Sequence, residues 1–160
     1  MKNFSHMKSD GSSRMVDVTG KEKTLREAQA AGKVSVSGRV IALLKEDKLP
    51  KGNLFEVAKV AGVMAAKKTS HLVPLCHQIP LDVCEIDVDL DEEAKEIRIV
   101  SDVRARWSTG VEMEALVAVS ISAVTVYDMI KSVDRDAVIG DIKVLKKKGG
   151  KSGDYERKPD

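Results

Sequence analysis

The sequence predicts an α+β domain, an antiparallel sheet with helices packed on one face. Three observations predict it. Cys84, Ile86, Val88 and Leu90 alternate with Glu85, Asp87 and Asp89, and a second β-rich stretch, EIRIVSDVRAR, follows the turn residues DEEAK. Period-two alternation marks half-buried strands, and the short break makes them a hairpin. Leu54, Val57, Ala58, Ala61, Met64 and Ala65 recur at the spacing of an amphipathic helix. The run 115–127 carries no charge in a chain of which 32% is charged, and Glu112, Glu114, Asp128 and Lys131 bracket it. Such a run is buried. Charges at its ends are candidates for chemistry, because partial burial shifts their pKa values toward neutrality.

The elements follow in order. Residues 1–13 are polar and rich in Gly and Ser, and read as a disordered tail; residues 154–160 read as a flexible tail, leaving one domain over 14–153. Thr24-Leu-Arg-Glu27 has the form of a capping box and predicts a short helix ended by Gly32. KVSVSG alternates as a strand, and RVIALLKED reads as a short helix. Asn53-Leu-Phe-Glu56 is a second capping box and opens the amphipathic helix. Pro74 and Pro80 forbid its continuation through SHLVPLCHQIP. The hairpin comes next, with Arg98 placed to face acids of its first strand. Thr109-Gly-Val-Glu112 is a third capping box, opening a long buried helix. VIGDIKVLKK reads as the last strand. The order β-α-α-β-β-α-β is ferredoxin-like in kind.

A chain of 160 residues with 42% hydrophobic content supports one domain with a real core. The net charge of +2 hides a polarity: DVCEIDVDLDEEAKE is acidic and KVLKKKGGK has no acid. The basic segment suits phosphate, or is a solvated lysine face. Two cysteines make no disulfide framework, and reduced thiols in the cytoplasm are expected. The N-terminal residues have no apolar core of a secretory signal. The run 115–127 falls short of the roughly 20 residues that span a bilayer, so no membrane partner is expected. With 3% aromatic residues, the stacking platforms used for RNA are scarce, and no nucleic-acid partner is expected. A nucleotide-sensing regulator remains an alternative to an enzyme.

Several constellations can carry chemistry. Lys51 precedes a helix N-terminus, where backbone N–H groups attract anions; it also reads as a plain turn lysine. Leu75-Cys76-His77 lies in a loop made rigid by two prolines. The spacing of Cys76, His77 and Cys84 matches no structural zinc site. Gly150-Lys151-Ser152 resembles the end of a P-loop, but Leu145 stands where that loop needs glycine. Asp128 and Lys131 share a helix face at i,i+3, and Glu114 lies within about 40° of Asp128 around the helix. The hairpin is expected to bring Arg104 and Arg106 to the start of that helix, where with Lys51 they would hold a polyphosphate.

MVDVTGK, KGNLFEVAKVAGVMAAKKT, LVPLCHQIPL, TGVEMEAL, VTVYDMIKSVD, VIGDIKVL and GGKSGD, in this order and spacing, resemble the MoaC family over roughly residues 15–154. The resemblance implies a ferredoxin-like cyclic pyranopterin monophosphate synthase of molybdenum cofactor biosynthesis. It implies a homohexamer, a trimer of dimers, with active sites between subunits. It implies that cyclic dihydro-GTP rearranges to a pyranopterin with a cyclic phosphate and loss of pyrophosphate, without metal or organic cofactor. The family's motifs match Asp128 as catalytic acid/base, supported by Lys131 and Lys51. They match Leu75, Cys76, His77, Met113 and Glu114 to the substrate pocket, and Arg26, Arg104, Glu112 and Lys147 to charged positions of the same site. A cationic neighbourhood is expected to lower a lysine's pKa, letting Lys51 or Lys131 exchange protons near neutrality. The chain departs from the family's pattern at Arg14, at His71 and at Trp107-Ser108.

Overall fold

A computed structural model describes residues 10–151 and 153–158. Residues 1–9 of the expected N-terminal tail, Ser152, and residues 159–160 lie outside the described residues. The elements are β1 (Thr24–Ser35), α1 (Gly38–Lys45), α2 (Leu54–Ala66), α3 (Thr69–Leu72), β2 (Val83–Asp91), β3 (Glu96–Trp107), α4 (Glu112–Ile130), β4 (Val138–Lys148) and β5 (Tyr155–Glu156). The fold is α+β: five strands lie in the order β2-β3-β1-β4-β5, each pair antiparallel. β1 and β2 therefore run the same way, with β3 between them. The C-terminal segment adds β5, Tyr155 pairing with Lys147 of β4.

The helix expected over 24–31 is instead the first half of β1. Its Thr-x-x-Glu pattern and alanines favour helix locally, but the segment sits between β3 and β4 in the sheet. Small inward residues are what the position demands: Ala28, Ala30 and Gly32 form the floor on which α4 lies. A Cβ on Gly32 would stand 2.7 Å from Val119 of α4. Tertiary packing overrides local propensity here.

α2 and α4 form the second layer. α4 packs on β1, β3 and β4, while α2 packs on α4 and β2. The two helices approach closely at Gly62, where a Cβ would collide with Ile86 and Ser122. Ser122 donates a hydrogen bond to the Ala58 carbonyl at 2.9 Å, and Ser101 of β3 donates to the Ala115 carbonyl at 2.9 Å. These bonds satisfy buried hydroxyls, the first tying α4 to α2 and the second tying α4 to the sheet. Among the described residues α4 alone is long and apolar enough to cross a bilayer, yet Ala115, Ala118, Val119, Ala123, Val126 and Ile130 are core.

The capping boxes divide. Asn53 caps α2, its side chain accepting from the Glu56 N–H at 3.2 Å. Thr109 does not cap α4: the helix starts at Glu112 behind Val111, without a side-chain cap. Glu112 is then the first helical residue, its charge favoured by the dipole. Arg98 does meet an acid of β2, Asp91, at 2.6 Å.

Candidate active site

The charged residues flanking the apolar run lie at opposite ends of α4. From Glu114 to Asp128 the helix rises about 21 Å at 1.5 Å per residue. The run fills the interior between them, so its ends are two separate chemical environments.

The C-terminal end holds a triad of charges. Lys51, from the turn before α2, places Nζ 2.6 Å from Asp128 Oδ2 and donates to the Asp128 carbonyl at 2.7 Å. Lys131, at the C-cap of α4, places Nζ 2.7 Å from Asp128 Oδ1. One carboxylate thus sits between two ammonium groups on an exposed surface. Hydrogen bonds from Lys131 and then Lys51 hold the Asp128 carboxyl down at about 2. Asp128 in turn raises the Lys131 pKa. Both shifts run opposite to the expected drift toward neutrality. Burial, and for the lysine a cationic neighbourhood, was to cause that drift, but this end is open, and the mutual attraction of Asp128 and Lys131 dominates. Lys51 is engaged with Asp128, not a plain turn lysine.

The N-terminal end behaves as expected. Glu114 is 3% exposed. Burial first, and the charge of Glu112, push its carboxyl up to about 7, against a hydrogen bond from its own N–H. Leu75, Cys76 and His77 are half-buried in the loop beyond α3. Cys76 belongs to the same neighbourhood: burial and the Glu114 charge raise its pKa. Met113, between the two glutamates, is exposed.

Beside this end opens a cavity of about 840 Å³, lined by Arg26, Ser108, Glu112, Lys147, Gly149 and Lys151 among others. Strand parity points Arg26 to the helix side of β1. Its guanidinium donates from Nε to the Trp107 carbonyl at 3.1 Å and from a terminal nitrogen to the Ser108 carbonyl at 3.4 Å. Lys147 Nζ lies 3.8 Å from Glu112. The Trp107-Ser108 departure from the family pattern lies here: Ser108 is buried, and the Trp107 ring carries Lys23 at 3.9 Å from its centre. Gly150 was weighed in the sequence only as the end of a P-loop, and the turn it forms with Gly149 beside Arg26 was missed. Both have positive φ, and a Cβ on Gly150 would strike the Arg26 guanidinium. The Gly-Gly pair after a lysine run was the available signal of a turn crossing close to other groups.

The structure therefore joins Lys51, Asp128 and Lys131 at one end. It joins Glu114 with Cys76 at the other, and Arg26, Glu112 and Lys147 around the cavity. It does not bring the first of these sets to the other two within one chain. Arg104 stands apart as well. It pairs with Glu27 in register, on the sheet face away from the helices, and its guanidinium lies 3.8 Å from Glu85. The expected meeting of Arg104, Arg106 and Lys51 at the start of α4 does not occur in the single chain, because Lys51 is at the far end of that helix.

Comparison with known proteins gives a consistent result. The family model described as "MoaC family" matches residues 15–150. The chain is 54% identical over 155 residues to the cyclic pyranopterin monophosphate synthase of Corynebacterium glutamicum (strain R), covering 97% of the chain and 98% of the relative. It is 47% identical over 157 residues to that of Parvibaculum lavamentivorans, covering 98% of each. It is also 47% identical over 154 residues to that of Clostridium acetobutylicum, covering 96% of each.

Proposed function

The chain belongs to the MoaC family, and from that premise we propose that it carries out the reaction for which its relatives are named, as a cyclic pyranopterin monophosphate synthase. It is a lyase of molybdenum cofactor biosynthesis. It rearranges 3′,8-cyclo-7,8-dihydro-GTP to cyclic pyranopterin monophosphate and releases pyrophosphate. The observation that carries this reading is the Asp128 carboxylate held between Lys51 and Lys131.

Closing a cyclic phosphate requires a substrate hydroxyl oxygen to bond to the α-phosphorus and give up its proton as pyrophosphate leaves with the electrons of the broken P–O bond. Both events concentrate negative charge, which ammonium and guanidinium groups offset. Lys131 is held protonated by Asp128, so it serves as a proton donor and as a cation for phosphate. Asp128, held down at about 2, is ionised throughout the neutral range. When phosphate oxygens take over the lysine contacts, Asp128 loses the partners that hold it down, and its basicity rises toward that of an ordinary carboxylate. It then accepts a proton where the free site would not.

The two ends of α4 work together across a subunit boundary. α2 exposes Val57, Val60 and Met64, and α4 exposes Met113 and Val124. These residues make one apolar surface on two helices that pack side by side. Two copies meeting there with antiparallel α4 helices bring Asp128, Lys51 and Lys131 of one to Glu114, Cys76, His77, Leu75 and Met113 of the other. Arg26, Glu112 and Lys147 supply the cavity for the charged tail of the substrate. The enzyme works in the cytoplasm as a homohexamer, a trimer of dimers. The direct assay is pyrophosphate release from the cyclic dihydro-GTP. No release by the purified chain under conditions that support a curated relative would overturn the reading.

A further inference from the structure

The turn that follows α4 carries a buried acid outside the triad. Asp134 is 9% exposed and lies three residues beyond Lys131. Its backbone N–H donates to the Ile130 carbonyl at 2.9 Å, as that of Val133 does at 2.8 Å. The Tyr127 hydroxyl donates to the Arg135 carbonyl at 3.1 Å. The turn is thereby tied to the last helical turn of α4, the one that holds Asp128.

The side chain of Asp134 reaches a distant part of the chain. Its Oδ2 accepts from the Ser37 N–H at 2.7 Å, and its Oδ1 from the Asp136 N–H at 3.2 Å. Ser37 is the N-cap of α1, and its own side chain makes no capping bond. In a capping box, a Glu or Gln at the third helical position returns to the N-cap N–H. α1 has Val40 there. Asp134, 97 positions away, completes the box from outside the helix. Between α1 and Lys51 the chain has little slack. The N–H groups of Glu46, Asp47, Lys48 and Gly52 donate to the carbonyls of Ala42, Leu44, Leu43 and Leu49 at 2.9–3.2 Å. Asp47 and Gly52 take the positive φ of these turns, and Leu49 is held in the core. Both ends of this segment meet the end of α4: Ser37 at Asp134, and Lys51 at Asp128.

We propose that Asp134 is a positioning residue for the charge triad: by capping α1 from the end of α4, it seats the segment that delivers Lys51 to Asp128. It acts through Lys51 rather than on the substrate. Its effect on turnover rests on the reading of Lys51 and Asp128 given above; the seating of Lys51 does not.

Hydrogen exchange read by mass spectrometry tests the seating without substrate. In Asp134→Ala the amides of residues 37–53 are expected to exchange faster, while those of α2, α4 and the sheet keep their protection. Unchanged exchange over 37–53, or an acceleration spread evenly over the chain, overturns the proposal. Turnover tests the route through Lys51. Asp134→Ala is expected to lower kcat about 10- to 100-fold, the cost of a small misplacement of a working group. Asp134→Asn keeps an acceptor for the Ser37 N–H and is expected to restore most of it; a loss equal to that of the alanine variant overturns the hydrogen bond as the cause. In a Lys51→Ala background, Asp134→Ala is expected to cost less than about twofold more, and the full loss recurring there overturns the proposal. Should Asp134→Ala fail to fold, Ser37→Pro removes the donor instead. Ser37 has a φ of −74°, which proline adopts, and the same results are expected of it. A chain that turns over nothing refutes the function proposed above and leaves the exchange result to judge this one.

Discussion

Lys51 Nζ lies 2.6 Å from the Asp128 carboxylate and 2.7 Å from the carbonyl oxygen of the same residue. The contact ties the turn before α2 to the end of α4, 77 positions later in the chain. Together with Lys131 it holds the Asp128 carboxyl ionised, and the first prediction follows from that.

Asp128→Asn, Lys131→Ala and Lys51→Ala each remove one member of the triad without touching the core. All three groups are at least half-way open to solvent or close to it, so folding and assembly are expected to survive. Turnover is expected to fall by about 10²- to 10⁴-fold, the range for losing a positioned acid or base. Steady-state pyrophosphate release, with light scattering on the same samples, checks both halves of the prediction.

The two ends of α4 make opposite contributions to pH dependence. Asp128 is depressed to about 2 from 3.8, so whatever it adds to stability is present above pH 4 and is lost as pH falls through about 2. It contributes no slope between pH 5 and 8. Glu114 is raised to about 7 from 4.5. The folded state therefore binds more protons than the unfolded state between those values, and stability falls as pH rises from about 4.5 to 7. The fall is on the order of 3 kcal/mol. Glu114→Gln is expected to flatten it, which denaturant melts at pH 5 and pH 8 would register.

Gly62 is where α2 passes closest to α4 and β2. Gly62→Ala gains about 1 kcal/mol of helix propensity, but its methyl group meets Ile86 and Ser122. Overpacking of this kind costs about 1–3 kcal/mol, and Ser122 also holds the Ala58 carbonyl. A net loss of stability is expected in urea melts, with turnover per folded molecule reduced less than for the triad variants.

The apolar helix surface is expected to be the contact that completes the site. Val60→Asp with Val124→Asp places charges on its two most exposed aliphatic positions, one per helix. Smaller species on light scattering and loss of turnover are expected together. Loss of mass with full activity would place the complete site in one chain.

How legible the molecule was depended on the range of the interactions involved. The hairpin, α2 and α4 were readable because their apolar periodicity is itself the burial pattern. Asp128 and Lys131 were readable as neighbours because helical geometry fixes their spacing. β1 was misread over 24–31 because its alanines and Gly32 answer to Val119 of α4, nearly 90 positions away. Thr109 was misread for a similar reason. Local sequence offers a cap there, but Ser108 turns its carbonyl to Arg26 and the helix begins later. The signs of the Asp128 and Lys131 shifts follow first from their own contact, and what the sequence hid was the openness of that end; the reach of Lys51 to Asp128 is likewise encoded by no local pattern. Family resemblance supplied the proposed site residues; the chain's geometry shows that they form separate groups.

The central claim is that one active site takes Asp128 from one protomer and Glu114 with His77 from another. Mixing two inactive variants, Asp128→Asn and His77→Ala, after reversible dissociation tests it most directly. In a random one-to-one mixture half the dimers are hybrids, and each hybrid holds one site with no substitution and one with both. Activity is expected to return to about a quarter of the unmodified enzyme's. No recovery in a mixture shown to contain hybrids would contradict the account.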